Sequence, residues 1–124
     1  MDGNLNQSTS IYLQIAEMLE TQILRDILCE EEQTPSTNEL AKGFAINPAT
    51  AAKGINLLVD EGILYKKRGI GMFVAQGSKE KILAKRKKAF CDTYLKTMLT
   101  EAAALSITKE ELIAMIQKQN AENV

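Results

Sequence analysis

Two helix starts stand one short helix apart in this chain, and no other feature constrains its fold as strongly. The segment Pro35-Ser36-Thr37-Asn38-Glu39-Leu40-Ala41-Lys42-Gly43-Phe44 opens on a serine followed three residues later by a glutamate. At that spacing the serine hydroxyl accepts from an early amide of the helix and the glutamate reaches back to the serine amide. Two otherwise unpaired donors are thereby satisfied. The helix is expected to run to about Phe44, with Leu40 and Ala41 turned inward and Gly43 relaxing the backbone near its end. After the brief link Ala45-Ile46, Asn47-Pro48 supplies the second start: a cap residue, then a proline whose missing amide costs nothing at the first helical position. This helix is expected from Pro48 to about Glu61, burying Ala51, Ile55, Leu58 and Val59, and ending at Gly62. Two short helices joined by a tight turn form a helix-turn-helix pattern.

Beyond Gly62 the period changes. Ile63-Leu64-Tyr65 and Met72-Phe73-Val74-Ala75 are strand-like runs, and the glycine-bearing stretch between them is a hairpin turn. A helix pair followed by a basic hairpin is a winged helix-turn-helix. Upstream, Ile11, Ile15, Met18, Leu19, Ile23 and Ile27 recur at helical spacing, with Thr9 or Ser10 placed to cap the start. The acidic stretch 29–34 shows no period and is expected to be a connection.

After the hairpin, a long helix is expected from about Lys79 to Leu105, with Ile82, Leu83, Phe90, Tyr94, Met98, Leu99 and Ala102 on one side. Ser106-Ile107 breaks it. Thr108 and Glu111 repeat the capping box and start a final helix through about Gln119, carrying Leu112, Ile113, Met115 and Ile116. Residues 120–124 are expected to fray. The expected fold class is therefore mainly α with a small β-hairpin. Residues 1–77 form a winged helix-turn-helix and residues 78–124 a two-helix dimerisation segment.

Charge points to a polyanion. The formal net charge is −1, yet between Tyr65 and Lys88 there are nine bases against one acid. The remainder carries six bases and fifteen acids. A cationic block inside a slightly acidic chain suits a phosphate backbone, whose condensed counterions are released on contact. A solvated helix face is the bland alternative for residues 79–88 taken alone.

What the chain lacks excludes other classes. It has no histidine, and its two cysteines, Cys29 and Cys91, are far apart. A Ser-His couple and a Cys-His couple are thus ruled out, a zinc site is not expected, and the usual general base near neutral pH is missing. No metal, no cofactor and no catalytic residue is expected, and the chain is not read as an enzyme. No apolar run approaches the roughly 18 residues of a membrane span. The first ten residues lack a secretory signal, so a cytoplasmic location with reduced thiols is expected.

Taken in order, IYLQIAEMLETQIL and PSTNELAKGFAINPATAAKGINLLVDEGILYKKRGIGMFVA resemble the GntR family of bacterial regulators. The family shows an Ile-Tyr-x-Gln-Ile opening, a Pro-Ser-x-Arg-x-Leu-Ala second helix, an Asn-Pro-x-Thr helix start, a Glu-Gly-x-Ile/Leu helix end and a Gly-x-Gly-x-Phe-Val wing. All but the arginine of the second element stand here, where Asn38 occupies that place. The short segment after the wing, ending in EAAALSITKEELIAMI, is similar to the YtrA-type subgroup, whose small tail serves dimerisation. The resemblance implies a transcription regulator that binds double-stranded operator DNA as a homodimer.

In this fold the helix opened by Asn47 enters the major groove with its N-terminal end toward the bases. Asn47, Thr50 and Lys53 are the candidate readers, Asn47 equally being a cap and nothing more. Ser36, Thr37 and Asn38 approach the DNA backbone from the preceding helix, whose N-terminal amides suit phosphate. Arg68 with Gly69 and Gly71 makes the wing tip, an arginine suited to the negative potential of a narrow minor groove. Lys66 and Lys67 alternate along a strand, so one of them, Lys67, is taken to face DNA. Phe90, Tyr94, Met98, Leu112 and Ile116 are the candidate dimer-interface residues, and two-fold symmetry would imply a palindromic operator.

The leading function is a sequence-specific regulator, expected to act as a repressor because a small dimer has little surface for recruiting polymerase. The alternative is a winged-helix protein-interaction module with weakened DNA binding, toward which Asn38 and the acidic loop lean. The sequence identifies no operator, regulated gene or small-molecule effector.

Overall fold

The computed structural model describes residues 10–123, with side chains through residue 119. Backbone contacts divide the chain into two compact units, one through Ala84 and one from Lys85. The first is built on three helices and a hairpin: α1 Ile11–Leu24, α2 Thr37–Phe44, α3 Pro48–Asp60, β1 Leu64–Lys67 and β2 Gly71–Val74. The first turns of α4 (Ser78–Phe90) complete it.

Helix α1 stops short of Ile27. The amides of Ile27 and Leu28 both return to the Gln22 carbonyl at 2.8 and 3.1 Å, and Asp26 adopts φ 61°. That terminal turn exposes Ile27 and buries Leu28 instead. Ser10 occupies the cap position without a side-chain hydrogen bond, and Thr9 lies outside the described residues.

Both expected helix starts are present. Ser36 Oγ accepts from Glu39 N at 3.0 Å, and Glu39 Oε1 accepts from Ser36 N at 2.9 Å. Asn47 Oδ1 accepts from Ala49 N at 2.8 Å, with Pro48 leading α3. The turn between α2 and α3 is made by Ala45, at φ 53°, and not by Gly43, which stays within the helix. A left-handed conformation at Ala45 lets its own amide and that of Ile46 close onto the last carbonyls of α2.

Ile15, Leu19, Leu40, Ile55, Leu58, Ile63, Leu64, Val74 and Ile82 form a core closed to solvent. Gly54 lets α3 approach α1 closely: a Cβ there would stand 2.7 Å from the Tyr12 carbonyl oxygen and 3.2 Å from Ile15 Cβ. Ile82 joins this core, so the start of α4 is pinned to the first unit. Val59, expected inside, is only partly buried.

The hairpin pairs Leu64 with Val74, Tyr65 with Phe73, Lys66 with Met72 and Lys67 with Gly71, antiparallel. The acidic stretch is more than a connection. Glu31 N donates to Val74 O at 2.7 Å, Val74 N to Glu32 O at 3.0 Å and Thr34 N to Met72 O at 2.9 Å, with Gln33 bridging Phe73. The outer edge of β2 is thus covered by a third, irregular rung, which removes an unpaired strand edge.

In the second unit α4 passes through one π turn, Cys91–Leu95, into α5, Lys96–Ala104. Asp92 in that turn binds Lys88 and Lys96, each at 3.1 Å, and the two cations hold its carboxyl below the usual range. Ser106, at φ 58°, breaks the helix. The second capping box then forms as expected: Thr108 N donates to Glu111 Oε1 and Glu111 N to Thr108 Oγ1, both at 3.1 Å. Helix α6 spans Lys109–Asn123, past the expected end at Gln119; Val124 lies outside the described residues. Among the described residues of this unit Ala102 and Leu112 are the buried apolar ones, while Phe90, Tyr94, Leu105, Ile113, Met115 and Ile116 are exposed.

Candidate nucleic-acid interface

The outward side of α3 follows directly from which residues its core side consumes. With Ala51, Gly54, Ile55 and Leu58 buried, the exposed positions after the leading Pro48 are Ala49, Lys53, Asn56 and Asp60, recurring at helical spacing. Ala51 is fully buried, so it belongs to the core and takes no part in a reading surface. Thr50 and Ala52 are half-buried. Lys53 projects as expected, and its ammonium lies 4.1 Å from the centre of the Tyr12 ring. Tyr12, Ala49, Ala52, Lys53, Asn56, Leu57 and Asp60 line a concavity of about 470 Å³ along this side.

Asn56 and Tyr12 were not among the sequence candidates. Asn56 sits three residues after Lys53, a spacing that the period of α3 already contains. Tyr12 comes from another element, and nothing local to it announces the contact. Asn47 is occupied as a cap through Oδ1, leaving its amide nitrogen as the group available to a partner.

At the start of α2, Ser36 and Asn38 are exposed and Thr37 is half-buried. Ser36 spends its acceptor on the capping box, and its hydroxyl proton remains free to be donated. The Ser36 backbone amide, and then its hydroxyl, hold the Glu39 carboxyl below the usual glutamate value. Glu39 thereby complements the helix N-terminus.

The wing tip is the three-residue turn Arg68-Gly69-Ile70, closed by Ile70 N donating to Lys67 O at 3.0 Å. Gly69 takes φ 78° and Gly71 φ 147°, conformations that an L side chain rarely adopts. Lys66, Lys67 and Arg68 are all exposed. On one face Tyr65 and Phe73 stack with centroids 6.0 Å apart, and the Lys67 ammonium sits 4.3 Å from the Phe73 centroid. Lys66 pairs with Met72 on the opposite face, so the two lysines diverge as the alternation requires. Ile70 is 63% exposed at the tip.

The carboxylates of the acidic loop, though exposed, have partners within the fold. Asp26 binds Lys79 at 2.8 Å, and this hydrogen bond raises the Lys79 pKa. Glu30 accepts from Gly77 N at 3.1 Å, and Glu32 accepts from Cys29 N at 2.8 Å. Glu31 accepts from the Tyr65 hydroxyl, which pushes the Tyr65 pKa up. Asp26, Glu30 and Glu31 tie the loop to the entry of α4 and to the wing, while Glu32 closes a turn within the loop. Gln33, also missed in the sequence, donates from Nε2 to Ile70 O at 3.0 Å.

Phe90 and Tyr94 are 62% and 64% exposed, with ring centroids 5.4 Å apart. Ile116 is exposed, Met98 is half-buried, and Leu112 is buried within its own chain. Among the described residues no group of three or more His, Cys, Asp or Glu could hold a metal ion, and no helix is long and apolar enough to cross a membrane.

This arrangement has close counterparts. The family model for bacterial regulatory proteins of the gntR family matches residues 11–74. The HTH-type transcriptional repressor YtrA of Bacillus subtilis (strain 168) is 30% identical over 115 residues, covering 93% of this chain and 88% of that protein. A solved structure of a GntR-family transcriptional regulator from Bacteroides thetaiotaomicron superposes with a TM-score of 0.79. It is 32% identical and covers 92% of this chain and 99% of the other. AraR(DBD), crystallised in complex with operator ORX1, is 32% identical with a TM-score of 0.52, covering 60% of this chain and 92% of that one.

Proposed function

This chain belongs to the GntR family of bacterial regulatory proteins, and from that membership we propose that it is a sequence-specific DNA-binding transcriptional repressor that holds a palindromic operator as a homodimer. The observation that carries the reading is the pairing of a capped α3, projecting Lys53 and Asn56, with a wing whose Lys66, Lys67 and Arg68 are all exposed. In the reading, α3 enters the major groove while the wing follows the neighbouring backbone or minor groove. Ser36, Thr37 and Asn38 meet phosphate at the start of α2, where helix amides add to the attraction. Asn47, Thr50 and Lys53 face the bases, joined by Asn56, and Lys67, Arg68, Gly69 and Gly71 form the wing contact.

The operator complex of AraR(DBD) supports the choice of partner, and the repressor YtrA supports the direction of regulation. The exposed Phe90, Tyr94 and Ile116, with Met98 and Leu112 between them, support a second copy as the occupant of the tail. A two-fold dimer matches a palindrome. The site of action is cytoplasmic DNA, and no catalytic step belongs to the reading.

A mobility-shift assay with the DNA upstream of its own gene, and with genomic fragments, tests it. Binding should prefer particular sequences and weaken steeply with salt, since each phosphate contact releases counterions. Uniform or absent binding across all fragments would overturn the proposal.

A further inference from the structure

We infer that Gln33 is a positioning residue for DNA recognition: it fixes the wing tip from behind, so that Arg68 is presented in one conformation. The inference rests on the DNA-binding reading above and adds to it a residue outside every element that touches DNA. Three observations converge on it. Gln33 Nε2 donates to the Ile70 carbonyl at 3.0 Å, 37 residues away in sequence. The Gln33 backbone bridges Phe73, so the side chain leaves from a backbone already anchored to the wing. Gly71 makes the room: a Cβ there would stand 2.6 Å from Gln33 Nε2.

The wing needs such a hold. Its tip is three residues joining two four-residue strands, and Gly69 and Gly71 leave it conformationally permissive. The turn itself is closed by Ile70 N donating to Lys67 O. Gln33 ties the same residue, through its carbonyl, to a different part of the chain. An amide serves here where an acid would not, because the acceptor is a carbonyl oxygen and a carboxylate has no proton to give. Glutamates occupy the three preceding positions, so the donor falls where the acidic run ends. Ordering the tip before DNA arrives lowers the entropy that binding must remove.

The test uses the full-length chain and the variants Gln33→Ala and Gln33→Glu, the second keeping the shape without the donor. The DNA probe is a duplex recovered by the wild-type protein from a random-sequence pool. Both variants should fold as wild type by circular dichroism and bind roughly three- to tenfold more weakly, the worth of one hydrogen bond. Amide exchange at Ile70 should accelerate in both. In an Arg68→Ala background the affinity loss from Gln33→Ala should largely disappear, since the residue acts through the wing.

Unchanged exchange at Ile70 would overturn the inference, and so would a loss fully additive with Arg68→Ala. If the wild-type protein recovers no duplex, the DNA-binding reading fails and the recognition role of Gln33 fails with it. The exchange data would then decide separately whether Gln33 holds the wing.

Discussion

The ammonium of Lys53 rests 4.1 Å from the centre of the Tyr12 ring, so α1 steadies the cation that α3 projects. A lysine held over an aromatic face keeps its charge while losing conformational freedom in advance of binding. Lys53→Ala should therefore weaken DNA binding and lower the salt slope by about one ion. Tyr12→Leu retains the charge and frees the chain. It should reduce affinity by a smaller factor with the salt slope unchanged. Titrations at several salt concentrations separate the two effects, and equal slopes for wild type and Lys53→Ala would remove Lys53 from the phosphate contacts.

Gly54 sets how near α3 lies to α1. In Gly54→Ala the new methyl meets the Tyr12 carbonyl at 2.7 Å, a backbone atom that cannot swing aside. The better helix propensity of alanine, worth about 1 kcal/mol, works against the clash. Overpacking of this kind costs about 1–3 kcal/mol, so the variant should melt at or below the wild-type temperature. It should also lose DNA affinity, because α3 moves relative to the wing. A clear rise in melting temperature with intact binding would contradict the close approach.

Acid should open the helix starts in a defined order of cause. Glu39 and Glu111 each have a folded pKa held below the ordinary 4.5 by backbone amides, of Ser36 and Thr108 respectively. A depressed carboxylate contributes stability that is present above its unfolded value and is lost as pH falls through the folded one. Their contribution should thus fade below pH 4.5 and leave neutral-pH stability untouched. Glu39→Gln and Glu111→Gln should flatten the acid limb of a melting-temperature profile. Ser36→Ala, which removes the hydroxyl cap, should cost about 1 kcal/mol at neutral pH.

In the proposed dimer the exposed rings of Phe90 and Tyr94 lie against the second copy. A charge placed at the centre of an apolar interface is left unpaired and desolvated, so Tyr94→Glu should shift sedimentation toward the monomer. The same variant should weaken operator binding through loss of the second half-site, while the first unit keeps its own melting transition. A dimer unaffected by Tyr94→Glu and by Ile116→Glu would move the interface elsewhere.

The sequence exposes what is encoded within one helical turn. Ser36 with Glu39, Thr108 with Glu111, and Asn47 with Pro48 each carry their own partner three or fewer residues away, and each formed as read. The hairpin was legible for a similar reason, its two strands being separated only by their turn. Contacts between distant residues were not. The acids at 26, 30 and 31 find Lys79, Gly77 and Tyr65, and Gln33 finds Ile70, at separations no local pattern records. A run of glutamates therefore looked like a solvated connection. Gly43 and Ala45 compete for the turn after α2. Glycine preference favours the first, but the helix keeps Phe44 for the core and the left-handed residue falls one place beyond it. On α3, the period placed Ala51, Ile55 and Leu58 in the core correctly but overstated Val59, which is only partly buried, and it left Gly54 inside and Asn56 outside unremarked.

The π turn at Cys91–Leu95 bears on the form a tail-to-tail pairing would take. Residues four apart overshoot a 3.6-residue turn, so Phe90, Tyr94 and Met98 on a uniform α-helix would drift about 80° around the axis. A drifting stripe obliges partner helices to coil about one another in order to keep contact. A turn closed by i→i+5 bonds takes more residues per revolution and absorbs part of that overshoot. The three side chains then drift less around the axis, and a partner would need less coiling to stay against them.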